Sequence, residues 1–368
     1  MRARVAKKDI LPAVMRTVSI ADKKAVVPIL SNVLLEFNER GLIVKSTDLD
    51  HSMIEIVTTE IDTFGSVAVP AITLADIVRK SPEDTPLEFS LADRGSKLLI
   101  VAGRSKFELS TLDPKDFPEI TPLKNICNIA VKSADLNKLI KRTKFSMSPE
   151  ESRHNLSGIY FHKDGNKLKA ASTDGHRLST TSIDIDIKEN IQGVIISKKT
   201  VFEIKKLLDN FQGDVGIVFS ANQVQFTFTD VVFISKLVDG VFPDYKKVIP
   251  EIGSDFFKIN RAEFSSILDR IAVISEEKIR SLKLELSGNT LYFYVANNTL
   301  GSGKDEIEVE SSGMQSWSAG FNVNYLLDIT QTLSGETLNV YFKESLSSIL
   351  IVDESESESM FVIMPLRI

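Results

Sequence analysis

The stretch VAKKDILPAVMRT, residues 5–17, decides the fold because altered copies of it occur twice more. VKSADLNKLIKRT at 131–143 follows 126 positions later, and INRAEFSSILDRI at 259–271 a further 128 on. Each copy reads as a short strand (Val5, Val131, Ile259), then an acidic residue opening a helix (Asp9, Asp135, Glu263). Apolar residues recur at helical spacing, and a basic residue stands near the end (Arg16, Arg142, Arg270).

The register persists outward from these stretches. Ser46-Thr47-Asp48 matches Ser172-Thr173-Asp174, and Ala296-Asn297-Asn298 holds the third place. A second helix is expected over Thr73–Lys80, Lys199–Leu208 and Val323–Leu333, and Phe107, Phe233 and Phe361 mark equivalent late strands. This repetition predicts three homologous domains, 1–125, 126–252 and 253–368. Within the first, VLLEF, GLIVKST, LEFSL and KLLIVAG read as strands, with turn signals such as Asn38 to Gly41 between them. The expected class is α+β: two helices and about eight antiparallel strands per domain, with the helices grouped on one side. The links FPEITPLKN (117–125) and FPDYKKVIPEIG (242–253) are short and proline-marked, which predicts a fixed arc of domains.

A chain of 368 residues exceeds one ordinary core and suits two or three domains of about 100–150 residues. A hydrophobic fraction of 43% with 26% charged residues is that of a globular protein. No stretch approaches the roughly 20 apolar residues of a membrane helix. MRARVAKKDI lacks the apolar run of a secretory leader, and the single Cys127 cannot form an internal disulfide. A cytoplasmic protein with no membrane partner is expected.

The net charge of −6 argues against a generally basic nucleic-acid binder, but not against one whose cations share a face. The helices hold those cations: Lys7, Lys8 and Arg16; Arg79 and Lys80; Lys138, Lys141, Arg142 and Lys144; Lys198, Lys199, Lys205 and Lys206; Arg261 and Arg270. Acidic residues crowd DEIEVE (305–310) and DESESES (353–359) instead. A helix-lined positive surface for non-specific phosphate attraction follows, and no recognition-helix or zinc-finger motif suggests base reading.

The residues offer little chemistry. His51, His154, His162 and His176 form no close metal-ligand pair, Cys127 has no CxxC partner, and no phosphate-binding glycine loop is present. Only Thr173-Asp174-Gly175-His176-Arg177 resembles an active site, and a structural turn or binding surface accounts for it better than catalysis. No cofactor, metal or catalytic residue is expected. The alternative, a metal-dependent nuclease on repeated domains, needs clustered carboxylates that the sequence does not show.

Over its whole length the chain resembles the bacterial DNA polymerase III β subunit family, the sliding clamps. The resemblance rests on VVPILSNVLLEF (26–37), GRSKFELSTLDPKDFP (103–118), TDGHRLS (173–179), SKLVDGVFPDYKKVIP (235–250) and FVIMPLRI (361–368), in that order. It implies a non-catalytic processivity factor, a head-to-tail homodimer whose six domains form a ring around duplex DNA. The helices would line the hole, and the replicative polymerase, clamp loader and repair proteins would bind through short linear motifs.

Site residues carried over from the resemblance fall into three groups. A hydrophobic peptide cleft is implied at Leu156, Thr173, Gly175, His176, Arg177 and Leu178, with Pro243, Lys247 and Val248 at its edge. Ser348, Val362, Ile363, Met364, Pro365, Leu366 and Arg367 complete it, with His176, Arg177 and Arg367 as polar fixing points. DNA contacts are implied at Lys24, Arg153, Lys198 and Lys199. They extend to His154 and Asn155, which stand where relatives carry paired tyrosines and leave polar contacts as the expectation. At the subunit interface Phe107 and Leu109 match apolar positions of the first domain, and Val273 and Ile274 their counterparts in the third. Arg104 and Lys106 would pair there with Asp305 or Glu306, adding less than the apolar quartet because exposed pairs contribute about 0–1 kcal/mol each.

Overall fold

Each quoted stretch folds as a strand running into a helix. A computed structural model describes the chain except residues 23–24, 93–94, 124–126, 186–192, 276–279, 315 and 368. The side chain of Cys127, and any role for it, also lies outside the described residues. The helices are α1 (Lys7–Val18), α2 (Ala71–Lys80), α3 (Ser133–Thr143), α4 (Lys198–Leu208), α5 (Arg261–Ala272) and α6 (Val323–Thr332). In α1, α3 and α5 the repeated acid lies in the first turn and the repeated arginine in the last, the order the helix dipole favours. Asn260 caps α5 by accepting from the amides of Ala262 and Glu263. Each repeat carries two helices and eight or nine strands among the described residues. The second helices differ from the sequence expectation by one or two residues at their ends, where the backbone frays. None of the helices is long and apolar enough to cross a membrane.

The chain divides into two compact units, the first comprising Met1–Val131 and Gly213–Lys236. A five-stranded sheet in this unit runs in the order Ile61–Thr63, Arg2–Val5, Leu87–Ala92, Lys97–Ala102, Ser105–Ser110, so the last of these is an edge. In a second sheet His51–Val57 pairs on one side with Gly41–Thr47. On its other side it pairs with the last strand of the second repeat, from Val231 opposite Glu55 to Ser235 opposite His51. Helix α1 buries Ile10, Ala13, Val14 and Thr17, a stripe at helical spacing, against α2 and strand residues such as Leu35, Phe37 and Phe89.

The second unit comprises Lys132–Gln212 and Leu237–Ile368. The arrangement recurs: Arg177–Asp184 pairs with Lys167–Thr173 on one side and with the last strand of the third repeat, Glu356–Ile363, on the other. A four-stranded sheet has the order Gly301–Glu308, Thr290–Asn297, Ser281–Ser287, Ser316–Asn322, which leaves Gly301–Glu308 as an edge. Its inner face packs Leu282, Leu284 and Phe293 against Phe264, Leu268, Leu326 and Ile329 of α5 and α6.

The repeated arginines tie helices to strands. Arg16 grips the buried Glu55 with two donors, the Nε contact at 2.8 Å. Buried Arg142 donates to Glu356 from Nη2 at 2.6 Å and from Nε at 2.9 Å, and Lys138 adds a contact of 2.7 Å. Arg270 holds Asp305 at 2.8 Å. Lys7 is buried, with Nζ on the Ser81 carbonyl at 2.7 Å and on Glu83 at 2.6 Å. Arg79, Lys205 and Lys206 pair with Asp76, Asp209 and Glu203. The expected helix cation surface is therefore narrower than the sequence suggests, because acidic neighbours, some distant in sequence and some three or four positions away, consume much of it. Lys8, Lys80 and Lys141 are exposed and unpaired among the described residues.

One aromatic stack supports the segment after Phe242. The Tyr160 and Phe242 rings lie 4.9 Å apart at 4°, and Tyr160 stacks on His162 at 5.0 Å. Bonding assigns the tautomer: His162 Nδ1 donates to the Lys163 carbonyl (3.3 Å), while Nε2 accepts from the Tyr245 hydroxyl (2.8 Å). Burial pushes His162 below its ordinary imidazole value, and Lys246 adds to this. Lys169 and Lys246 hold the Asp164 carboxyl down to about 2 and tether the same segment.

Glu356→Ala strands the buried Arg142 guanidinium and is expected to destabilise the protein by about 3–5 kcal/mol. Chemical denaturation should show Arg142→Ala/Glu356→Ala losing less than the sum of the single variants. Folded His162 resists protonation more than its unfolded counterpart. Its contribution is thus fully present above the unfolded value of about 6.5 and is lost as pH falls through the folded value. Between about pH 7.5 and 5.5, denaturation midpoints of the wild type should fall further than those of His162→Gln.

Candidate functional site

The TDGHR turn is built by the side chain of Asp174. Its buried carboxylate accepts from the amides of His176 (2.9 Å) and Arg177 (3.0 Å), and Gly175 takes φ +91°, a region costly for a side chain. Thr173 closes the turn by donating from Oγ1 to the Arg177 carbonyl at 2.6 Å. Arg177 Nε donates to Asp174 at 3.0 Å, Nη1 to Asp328 at 2.6 Å and Nη2 to the Phe145 carbonyl. The guanidinium lies 4.3 Å from the Tyr325 ring centre and 5.4 Å from that of Phe145. Each nitrogen of Arg177 is thus engaged inside the chain. Expected as a polar fixing point of the cleft, it positions the turn through these bonds. Sequence reasoning missed Tyr325 and Asp328, although their spacing of three on one helix face was a usable signal.

The C-terminal strand forms the adjoining wall. Leu178 lies opposite Val362 and Arg177 opposite Ile363, after which the Met364 amide donates to the His176 carbonyl at 2.9 Å. Leu178 and Val362 are buried with Phe242, Tyr245 and Leu350, and Leu156 packs against this cluster. Because side chains alternate along a strand, Ile363 faces the other way, into the core around α5 and α6; its expected place in the cleft is corrected accordingly. Met364 and Val248 leave the cluster with 41% and 46% of their surface exposed. Gly175, His176, Pro243, Lys247 and Arg367 are exposed, and Ser348, Pro365 and Leu366 are half-buried. The result is an apolar floor, a mobile-rotamer methionine at its edge, and a turn held rigid from behind.

The residues expected to meet DNA are placed less openly. Arg153 pairs with Glu150 at 2.8 Å and donates from Nη1 to the Asp174 carbonyl at 3.3 Å. Asn155 donates to the Val241 carbonyl at 3.1 Å, and His154 is exposed. This loop therefore braces the TDGHR turn as well as presenting a polar edge. Lys198 and Lys199 begin α4, Lys198 half-buried and Lys199 exposed. Lys24 lies outside the described residues.

Of the interface residues, Phe107 is 37% exposed on the edge strand and lines a 350 Å³ pocket with Ile72 and Ile77. Val273 is 76% exposed at the end of α5. Leu109 is buried in the core of its own unit, and Ile274 packs on the core of the third repeat. Arg104 and Lys106 are exposed. Among the described residues no three His, Cys, Asp or Glu side chains are grouped to hold a metal ion.

Known proteins resemble this arrangement from end to end. Family profiles for the DNA polymerase III beta subunit match as N-terminal domain at 1–121, central domain at 130–244 and C-terminal domain at 246–367. Beta sliding clamps from Caulobacter vibrioides and Pseudomonas aeruginosa are 35% and 32% identical, each over 100% of both chains. Among solved structures, the sliding clamp (DNA polymerase III subunit beta) from Bartonella birtlesii bound to griselimycin is 36% identical, with a TM-score of 0.95 over 100% of both chains. The Pseudomonas aeruginosa subunit gives 0.94 at 32% identity, again over 100% of both chains. The nuclease alternative finds no counterpart in these relatives. The chain therefore belongs to the DNA polymerase III β subunit family, the bacterial sliding clamps, whose members are non-catalytic processivity factors.

Proposed function

We propose that this clamp closes head-to-tail with a second copy around duplex DNA and tethers the replicative polymerase through its hydrophobic cleft. The clamp loader and repair proteins would use the same cleft. The carrying observation is how strands pair between repeats. The last strand of the second repeat joins His51–Val57 of the first, and the last strand of the third joins Arg177–Asp184 of the second. The matching last strand of the first repeat, Ser105–Ser110, ends its sheet unpaired on one side. So does Gly301–Glu308, which stands in the third repeat where His51–Val57 and Arg177–Asp184 stand in the others. Each copy thus carries one donor edge and one acceptor edge, a heterologous contact that can close after two subunits.

Phe233 faces Met53 and Phe361 faces Ser179, whose counterpart in the third repeat is Ser302, so the same register sets Phe107 opposite the partner's Ser302. Arg104 then meets the partner's Asp305, opposite charges across the ladder. Phe107 and Val273, both exposed, supply the apolar contribution. On this reading 1–125, 126–252 and 253–368 are the three domains, and binding to DNA is topological, sequence-independent and aided by Arg153, His154, Asn155, Lys198, Lys199 and Lys24. The protein works in the cytoplasm, at the nucleoid. Relatives from Bartonella birtlesii and Pseudomonas aeruginosa were solved bound to griselimycin, which supports the capacity of this fold to hold a compact ligand.

In solution the protein should have twice the 40.9 kDa chain mass. Once loaded, it should stay on closed circular DNA and leave when the circle is linearised; retention that ignores linearisation rules out sliding. For the cleft, Met364→Ala should weaken a fluorescent peptide bearing Leu and Phe anchors about tenfold, read by anisotropy. An unchanged affinity would mean that the cleft lies elsewhere.

A further inference from the structure

The outer face of the third repeat's sheet carries a groove of 1230 Å³ that none of the preceding residue roles explains. Its floor is one transverse row of the ladder: Lys304 opposite Tyr294, Tyr294 opposite Lys283, and Lys283 opposite Gly320. The row continues into the C-terminal tail, because Gly320 bridges Leu366 and accepts from its amide at 2.7 Å. The tail that finishes the cleft is therefore an extra rung of this sheet, and Leu366 and Arg367 line both features.

The groove has a definite chemical character. Among the described residues Lys283, Lys304 and Arg367 line it and no acidic side chain does, in a protein of net charge −6. The Tyr294 ring lies 5.5 Å from Lys283 Nζ and 5.6 Å from Lys304 Nζ, between the two ammonium groups, and Lys304 Nζ also lies 4.7 Å from the neighbouring Tyr292 ring. Their ion pairs, to Glu285 at 2.7 Å and Glu306 at 3.9 Å, are exposed and readily exchanged for others. Small side chains at Ser281, Ala296 and Ser302 keep the floor low, while Leu346, 73% exposed, forms an apolar wall.

We infer that this groove receives an acidic stretch of partner polypeptide flanking the motif whose anchors sit in the cleft. The inference rests on the cleft reading. Charge complementarity and continuity through Leu366 and Arg367 favour a peptide. Three cations interleaved with Leu346, Tyr294 and Leu366 make a poor track for a nucleic-acid backbone, which calls for a longer run of positive charge.

The test titrates the full-length protein with three labelled peptides: the plain Leu/Phe-anchored sequence, that sequence with three acidic residues added at either end, and the same with three neutral amides. The acidic extension at one end should tighten binding about fivefold or more at low salt, and the gain should fade as salt rises. The neutral extension should add nothing, and Lys283→Ala/Lys304→Ala should abolish the gain while leaving the plain peptide unchanged. An acidic extension that adds nothing, or whose gain survives in the double variant, overturns the groove. So does a double variant that keeps the gain but loses retention on circular DNA, which assigns the cations to nucleic acid. Met364→Ala separates the two readings. If it weakens the plain peptide and the extension is inert, only the groove fails; if it leaves the plain peptide untouched, cleft and groove fail together.

Discussion

The pairing of one repeat's last strand with the fourth strand of the repeat before it is the constraint on which the rest depends. A strand edge leaves a row of amide and carbonyl groups that must bond to something. Val231–Val238 satisfies that need for His51–Val57, and Glu356–Ile363 does so for Arg177–Asp184. This explains why Gly213–Lys236 belongs to the same compact unit as the first repeat. It also leaves Ser105–Ser110 and Gly301–Glu308 as sheet edges, the place proposed for a second copy to add its own strands.

The same pairing builds the proposed cleft. Laying the terminal strand beside Arg177–Asp184 sets Val362 next to Leu178 on the apolar floor and turns Ile363 into the opposite core. The turn before that strand needs support, because a loop that presents a binding wall loses affinity if it must be ordered on each encounter. Arg177 supplies it, spanning Asp174, Asp328 and Phe145 and stacked on Tyr325. Opposite, the Tyr160, His162, Phe242 and Tyr245 stack holds the segment leading to Val248. A rigid back with an exposed methionine at the front suits partners that share anchor residues but differ around them.

Electrostatics divides between structure and function. Arg16, Arg142 and Arg270 look alike in sequence, and each ends in an ion pair with a strand carboxylate, so the repetition of basic residues on helices is partly a repetition of struts. A sliding protein is served by this economy, since diffuse, weak contacts to phosphate allow movement where a dense cation surface would hold.

The sequence by itself determined the threefold repeat, the helix positions within a residue or two, and the lack of a catalytic set. Periodicity, capping residues and motif spacing are local properties that the chain carries whether or not it is folded. The residues proposed for the cleft, such as Leu178, Val362 and Met364, were legible only by likeness to a family. The tertiary structure decided which cations are spent, which way Ile363 faces, that Arg177 is enclosed, and that the tail extends a sheet bearing a basic groove. Those outcomes depend on partners such as Asp328, 151 positions from Arg177, and Glu356, 214 from Arg142. Side chains that far apart in sequence meet only once the strands between them have chosen a register.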